Sequence, residues 1–514
     1  MKTIKKVAFI LISASVLSSC YKDLSTEAGE TIPEIEITGV KEEIDIVWGQ
    51  ELKITPEVRQ EGRSDDDFTF LWEIDLTAGN PNNRIEISET KDLEYKVSNS
   101  PSEKPYCLTL TVTDRKTGYS GVFVSKIYVG TSLGEGLLVA YTRDGGNTSE
   151  IDIVADPVLT YGYSGATRYT RELYALSNGN EHIQGKVLSM SEYVCSQNSS
   201  LDLTKIMIGT DSHIISLDPL TFTVKDTDSQ LFNSVKESSF RTSSMFNFGG
   251  YSSCAVVNGT LYGVLCIIDN VYSKVAYSKT PSDIMTDRNF GYYALDQGAL
   301  LVFNENDSKF YYIYGWGLMN SSLSELTSFF SFDYSGSKAL GGGAMKGKMP
   351  ALFIKDASGN HYICSVDTGS SDMKTYTYPV NGADMDKIVD VAFCDNSDLM
   401  YYATESKIYS VLINGGKAIT TVLSWKPDSA DEKITDIRQY TQGWYGTHRY
   451  DLSNYPFQLE YNRLQLLITT YNEKTGEGKI YMRPFNVSTG RFTIKNNGTL
   501  KGFGEITAIA PTFR

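Results

Sequence analysis

Leu137–Asp152 reads LLVAYTRDGGNTSEID and aligns without a gap on Leu466–Tyr481, LLITTYNEKTGEGKIY. Each is an apolar run, a polar turn and a second run, the pattern of a β-hairpin. The later hairpin follows an apolar strand, Glu432–Gln439, EKITDIRQ. The same order occurs one step earlier, where Asp386–Phe393, DKIVDVAF, precedes Leu399–Val411, LMYYATESKIYSV. Both units carry Lys-Ile-Tyr in the hairpin, at Lys407–Tyr409 and Lys479–Tyr481. A third copy of the strand, Gly504–Pro511, GEITAIAP, has no hairpin after it.

A strand-then-hairpin unit recurring in fixed order at a spacing of tens of residues is one blade of a radial array of sheets. Residues 131–514 are therefore expected to form a β-propeller. The unmatched ends supply its closure: the Gly504–Pro511 strand is expected to complete the sheet begun by the Leu137–Asp152 hairpin, hiding the last open edge. A blade of about 50–55 residues divides the region into about seven, with six and eight the neighbouring counts. Lys205–Ser216, Leu261–Ile268, Ala299–Gly315, Ala351–Val366 and Ala418–Trp425 are further strand-like runs that fit the array. A stacked pair of β-sandwiches is the competing architecture, but it leaves the matching ends unexplained.

Composition agrees with an all-β chain. Aromatic residues are 12%, with 34 tyrosines, and with Val, Ile and Thr they favour half-buried pleated surfaces. Helical periodicity is scarce. The 514 residues exceed one simple core, so more than one domain is expected. A formal net charge of −15 opposes binding to phosphate backbones, so no nucleic-acid partner is expected.

Residues 34–130 have about the length of one β-sandwich. Strands are expected at Glu34–Ile37, Ile44–Val47, Leu52–Val58, Thr69–Ile74, Arg84–Ile87, Leu93–Val97, Tyr106–Thr113 and Gly121–Val129. Alternation puts Leu108, Leu110 and Val112 on one face, where they can pack under Trp72. Asp65-Asp66-Asp67 reads as a solvated turn, because a calcium site needs about six or more oxygens in a defined loop.

The first residues read as an address. Lys2, Lys5 and Lys6 precede an apolar run, Val7–Val16, that is too short to span a bilayer. Leu17-Ser18-Ser19-Cys20 then resembles a bacterial lipobox. Residues 1–19 are expected to be a cleaved signal, Cys20 the lipidated residue and residues 20–33 a tether. An ordinary secretory signal is the competing reading. Loss of the three lysines takes the formal charge to −18. No later apolar run is long enough to cross a membrane, so attachment is expected through acyl chains.

Chemistry is sparse. The four histidines, His182, His213, His361 and His448, form no ligand spacing, so no metal or cofactor is expected. The six cysteines after Cys20 form no CxxC pair, and Cys107, Cys254, Cys266, Cys364 and Cys394, in or beside strand-like runs, read as small buried hydrophobes. Disulfides are open in an exported chain, and the sequence does not pair them. Gly162–Gly165 and Gly118–Gly121 miss the spacing of a nucleophile elbow. Gly342–Lys348, GGAMKGK, lacks the Ser or Thr and the helix of a phosphate loop and reads as a turn between strands. Paired carboxylates are too numerous to single out glycosidase groups. One long insertion, Gly443–Asp451, GWYGTHRYD, gathers Trp444, Tyr445, His448, Arg449 and Tyr450. Its rings can stack on sugar faces or peptide side chains, and Arg449 can grip a carboxylate. Trp316 and Phe246–Tyr251 are weaker candidates of the same kind and read first as packing residues. An apolar cluster beneath the loop is the duller alternative.

Phe70-Leu71-Trp72-Glu73-Ile74-Asp75, with Leu108–Asp114 followed by Gly118, resembles the PKD family of immunoglobulin-like domains. The chain departs from it where a Gly-Asp turn usually follows the Trp strand, since Asp75-Leu76-Thr77 runs into the loop Ala78–Asn83. The lipobox, sandwich and repeat together resemble the PKD-like lipoproteins of Bacteroidetes. That resemblance implies an outer-membrane lipoprotein facing the cell exterior, although Lys22-Asp23-Leu24 matches the family's acidic export signal only weakly. It implies a non-catalytic accessory of a Sus-like TonB-dependent transporter, either capturing a glycan or oligopeptide or docking on the transporter complex. A propeller hydrolase or lyase would instead bring carboxylates or histidines together in the central channel. A structural or adhesive protein would present a smooth face.

Overall fold

In the computed structural model, the described residues are 33–48, 50–99, 104–130, 136–160, 163–193, 205–219, 221–232, 237–248, 252–265, 278–279, 284–286, 288–293, 298–315, 323–326, 330, 334–347, 349–367, 373–441, 459–493 and 497–512. They fall into two compact units, Met1–Gly130 and Thr131–Arg514, and almost all the regular structure in both is strand.

The first unit is built on a five-stranded sheet. In spatial order its strands are Glu43–Val47, Ser120–Gly130, Tyr106–Asp114, Phe68–Asp75 and Arg84–Ser88, with the first pair parallel and the rest antiparallel. Glu51–Ile54 pairs with Leu93–Lys96, and Glu36–Thr38 with Glu57–Arg59. The expected strand Leu52–Val58 is thus two strands, broken at Thr55-Pro56, because proline has no N–H for a ladder. Trp72 is fully buried among Leu108, Leu110 and Val112. Its indole N–H donates to the Thr90 carbonyl at 3.0 Å, so the polar end of a large apolar ring is satisfied. Asp65–Asp67 forms a single 3₁₀ turn, in which the Ser64 N–H and hydroxyl donate to Asp67.

The second unit contains, among the described residues, seven sheets, six of four strands and one of five, numbered I to VII. Six are consecutive meanders with inner strands Val187–Tyr193 (II), Thr242–Phe248 (III), Phe290–Tyr293 (IV), Lys338–Met345 (V), Asp390–Cys394 (VI) and Glu432–Gln439 (VII). Sheet I is composite. Its inner strand is Glu505–Thr512, followed outward by Gly136–Thr142, Thr148–Ala155 and Arg168–Thr170. The pairing runs from Gly136 opposite Thr512 to Thr142 opposite Glu505, so the expected completion of the first sheet by the C-terminal strand is present. The two hairpins that align in sequence also share a register. Leu137 faces Val154, and Leu466 faces Arg483, 329 positions on in both cases.

Each seam between successive inner strands has its own contact. Lys186 pairs with Glu505 at 2.7 Å between II and I, and the Ser189 hydroxyl donates to the Thr242 carbonyl at 2.9 Å between II and III. Phe246 and Tyr292 stack between III and IV, with centroids 4.3 Å apart. IV and V meet backbone to backbone, since a Cβ on Gly342 would lie 2.1 Å from the Phe290 carbonyl oxygen. Gly343 similarly leaves room for Phe393 of VI. Here the Gly342–Lys348 reading needs correction. Gly342, Gly343, Ala344 and Met345 belong to an inner strand, and the turn falls after them. Their glycines serve close approach of neighbouring sheets.

Five inner strands carry a one-residue bulge near their start, at Leu188, Ser243, Leu340, Thr435 and Thr507. Such an extra residue sharpens the twist and redirects side chains. Apolar residues fill the layers between sheets, as with Leu137, Leu467 and Ile480 between I and VII, or Phe353, Tyr402 and Val411 between V and VI.

Candidate functional site

The inner strands of all seven sheets contribute to one cavity of about 710 Å³. That volume lies in the range of small-molecule sites. Its walls differ. Sheets III, IV and V present Ser244, Phe246, Tyr292 and the run Gly341–Gly343, while VI and VII present Asp390, Asp436 and Arg438.

The charged side follows from the repeat. Asp390 is the fifth residue of DKIVDVAF and Asp436 the fifth of EKITDIRQ, whereas GEITAIAP has Ala508 there. Neighbouring inner strands therefore place two carboxyl groups side by side. Asp390 accepts the Ile437 N–H at 2.8 Å, stapling VI to VII. Asp436 is held by a forked contact from Arg438, with Nε at 3.0 Å from Oδ2 and Nη2 at 3.2 Å from Oδ1. Arg438 Nη1 donates to the Ile509 carbonyl at 3.0 Å and so ties VII to I. The side chains of Arg438 and Asp436 are 41% and 35% exposed although they lie on the innermost strands, so the solvent they meet is that of the cavity.

Electrostatics single out Asp390. Burial, and then the like charge of Asp436, push Asp390 above the usual carboxylate range, to about 8. Burial works against the Arg438 charge, but Asp436 and Asp390 outweigh it and hold the guanidinium firmly protonated. Tyr292 is pushed up by burial, and the Arg438 charge opposes that rise. At one end of the cavity, Arg463 pairs with Asp395 at 2.7 Å. Gln439 Nε2 donates to Asn396 Oδ1 and to the Arg463 carbonyl, fixing that turn. Arg288 of the segment before sheet IV reaches the Val389 carbonyl at the start of sheet VI, 3.2 Å away.

Of the contact residues expected from sequence, Phe246 and Asn247 are among those that line this cavity. Trp316, Trp444, Tyr445, His448, Arg449 and Tyr450 lie outside the described residues, as does Cys20, the residue expected to carry lipid. Phe246 does line the cavity, but it is 2% exposed and serves as packing behind Tyr292. His182 bonds Glu150 at 3.1 Å and His213 bonds Asp228 at 3.0 Å, while His361 is buried against Phe353. Cys254, Cys364 and Cys394 are buried free thiols and Cys107 is a half-buried one. Among the described residues, no three metal-ligating side chains gather, and no helix is long and apolar enough to cross a membrane. The signal that sequence reading passed over was the acid repeated at one position of two inner strands.

Residues 20–186 match a model of the PKD-like family. The match begins at Cys20 and runs past the first unit into the outer strands of sheet I. No curated protein matches the chain. Similar solved structures include a quinoprotein alcohol dehydrogenase-like protein from Bacteroides thetaiotaomicron, 12% identical, with a TM-score of 0.45 over 94% of this chain and 98% of that one. Another is apo AztD from Citrobacter koseri, 12% identical, with a TM-score of 0.39 over 87% of this chain and 98% of that one. A third is the extracellular domain of a putative one component system from B. thetaiotaomicron, 10% identical, with a TM-score of 0.32 over 82% of this chain and 64% of that one.

Proposed function

We propose that this chain is a lipid-anchored protein of the bacterial cell surface, with a seven-bladed propeller as a non-catalytic platform for binding or docking. Cys20 carries the acyl chains, and the PKD-like segment links the anchor to the platform. The platform serves a Sus-like TonB-dependent transporter by capturing a nutrient or by docking on the complex. The observation that carries the binding reading is the cavity. It has the size of a small-molecule site, and its forked Asp436–Arg438 contact is a preformed polar patch open to solvent.

The anchor is tested by metabolic labelling with a palmitate analogue. Label should appear in the membrane fraction and disappear with Cys20→Ala, which should release the protein; unlabelled wild-type protein would refute the anchor. The partner is tested by mild detergent extraction of native membranes. Co-purification of a TonB-dependent transporter at near-equal amounts supports docking, and its absence counts against it.

A second reading has one observation behind it. Asp390 and Asp436 converge on the cavity, and Asp390 is held toward its protonated form, as a general acid for glycoside cleavage would be. Product release from a polysaccharide panel, lost with Asp390→Asn, would establish that reading; its absence leaves Asp390 as the staple between sheets VI and VII.

A further inference from the structure

Resting on the binding reading above, we propose that the cavity takes an uncharged oligosaccharide, held through its hydroxyl groups by the Asp436–Arg438 pair. Charge balance is the first argument. Asp436 cancels Arg438 and Asp395 cancels Arg463. Glu192 and Arg288 add one charge of each sign to the lining. Asp390 is the remaining acid, and its burial favours the neutral form. A charged ligand that displaced a partner from the Asp436–Arg438 or Asp395–Arg463 pair would leave a charge unmatched, at a cost that binding must overcome. A neutral ligand leaves them intact.

Hydrogen-bond capacity is the second argument. A guanidinium has five N–H groups. Nε–H and one N–H of Nη2 go to Asp436, and one N–H of Nη1 goes to the Ile509 carbonyl. One N–H therefore remains on each terminal nitrogen. Each Asp436 oxygen has accepted one bond from Arg438 and keeps a further lone pair. The pair thus offers two donors and two acceptors side by side, without net charge. Adjacent hydroxyls on a pyranose ring need this combination, since each both donates and accepts. The facing wall adds the Ser244 hydroxyl and the Tyr292 ring. Tyr292 is backed by Phe246 and so held in place for apolar contact with a sugar face.

Calorimetry on the full chain tests this with maltotetraose, xylotetraose, mannotetraose and galactotetraose, against trigalacturonate, trilysine and trialanine. At least one neutral sugar should bind. Asp436→Asn should weaken it at least tenfold, and Ser244→Trp, which fills the cavity from the other wall, should abolish it. A crystal soaked with the binding sugar should show it against Asp436 and Arg438. If none of the four neutral sugars binds, if Ser244→Trp leaves binding unchanged, or if the soaked sugar sits elsewhere, the assignment is overturned. Binding of a charged probe or the peptide that Ser244→Trp blocks would overturn the sugar assignment while leaving the cavity as a binding site. Transporter co-purification decides the docking reading independently of every sugar result.

Discussion

Asp390 illustrates how one side chain serves the fold at a pH-dependent cost. Its carboxyl holds the Ile437 amide across a seam, yet burial and the neighbouring Asp436 disfavour its ionised form. The sign follows from proton linkage. Between about pH 4, where an unfolded aspartate titrates, and about 8, the folded state binds more protons than the unfolded one. Stability is therefore lost as pH rises through that window. Asp390→Asn keeps an acceptor for the amide and cannot ionise. The variant should melt at a higher temperature than wild type at pH 8 and within a degree or two of it at pH 4; thermal unfolding at both values checks this. Trp72 makes a contrasting case in the first unit. It is fully buried, and Trp72→Ala should cost about 3–5 kcal/mol in that unit, read as a shifted denaturant midpoint. Trp72 was legible in sequence because an aromatic strand faces an alternating Leu-Leu-Val strand. Asp390 and Asp436 were not, because their importance depends on adjacent inner strands standing side by side around a cavity. The repeat does hold the hint, in an acid at the same place in both copies.

At the scale of the element, the hairpins were the most readable part. Two turns with different residues, Asp144–Thr148 and Asn472–Glu477, close hairpins of one register, and a gapless alignment suffices to detect that. The glycine strand was the least readable. Gly341, Gly342 and Gly343 look like turn formers in one dimension, since glycine is common wherever the chain reverses. Their role shows only against the next sheet, where Gly342 touches backbone that cannot yield. Gly342→Ala would force its Cβ into the Phe290 carbonyl. The second unit should lose several degrees of melting temperature, whereas Gly347→Ala, in the open turn after Met345, should perturb the seam little. Its positive φ makes it a strained site rather than a crowded one, so the pair of variants separates crowding from strain. Equal losses in the two would contradict the close-approach account. The split of the expected strand Leu52–Val58 has a simpler origin: Pro56 was visible all along, and its missing N–H decides the outcome.

For the whole molecule, the decisive feature is the pairing of Glu505–Thr512 with Gly136–Thr142. Deleting residues 505–514 should expose the long inner edge of sheet I. The product should aggregate, or bind a hydrophobic dye far more strongly than wild type, while the first unit retains its own unfolding transition. A soluble truncated chain with an unchanged melting profile would show that the edge does not need its cover. The same pairing governs how the fold is reached. Thr512 hydrogen-bonds across 376 positions to Gly136, so sheet I is finished only when two distant segments of the chain meet. Contacts of such separation slow the search for the native arrangement and prolong the exposure of sticky intermediates. Refolding of the full chain should therefore compete with aggregation until Glu505–Thr512 docks, and dilution of the refolding mixture should raise the native yield.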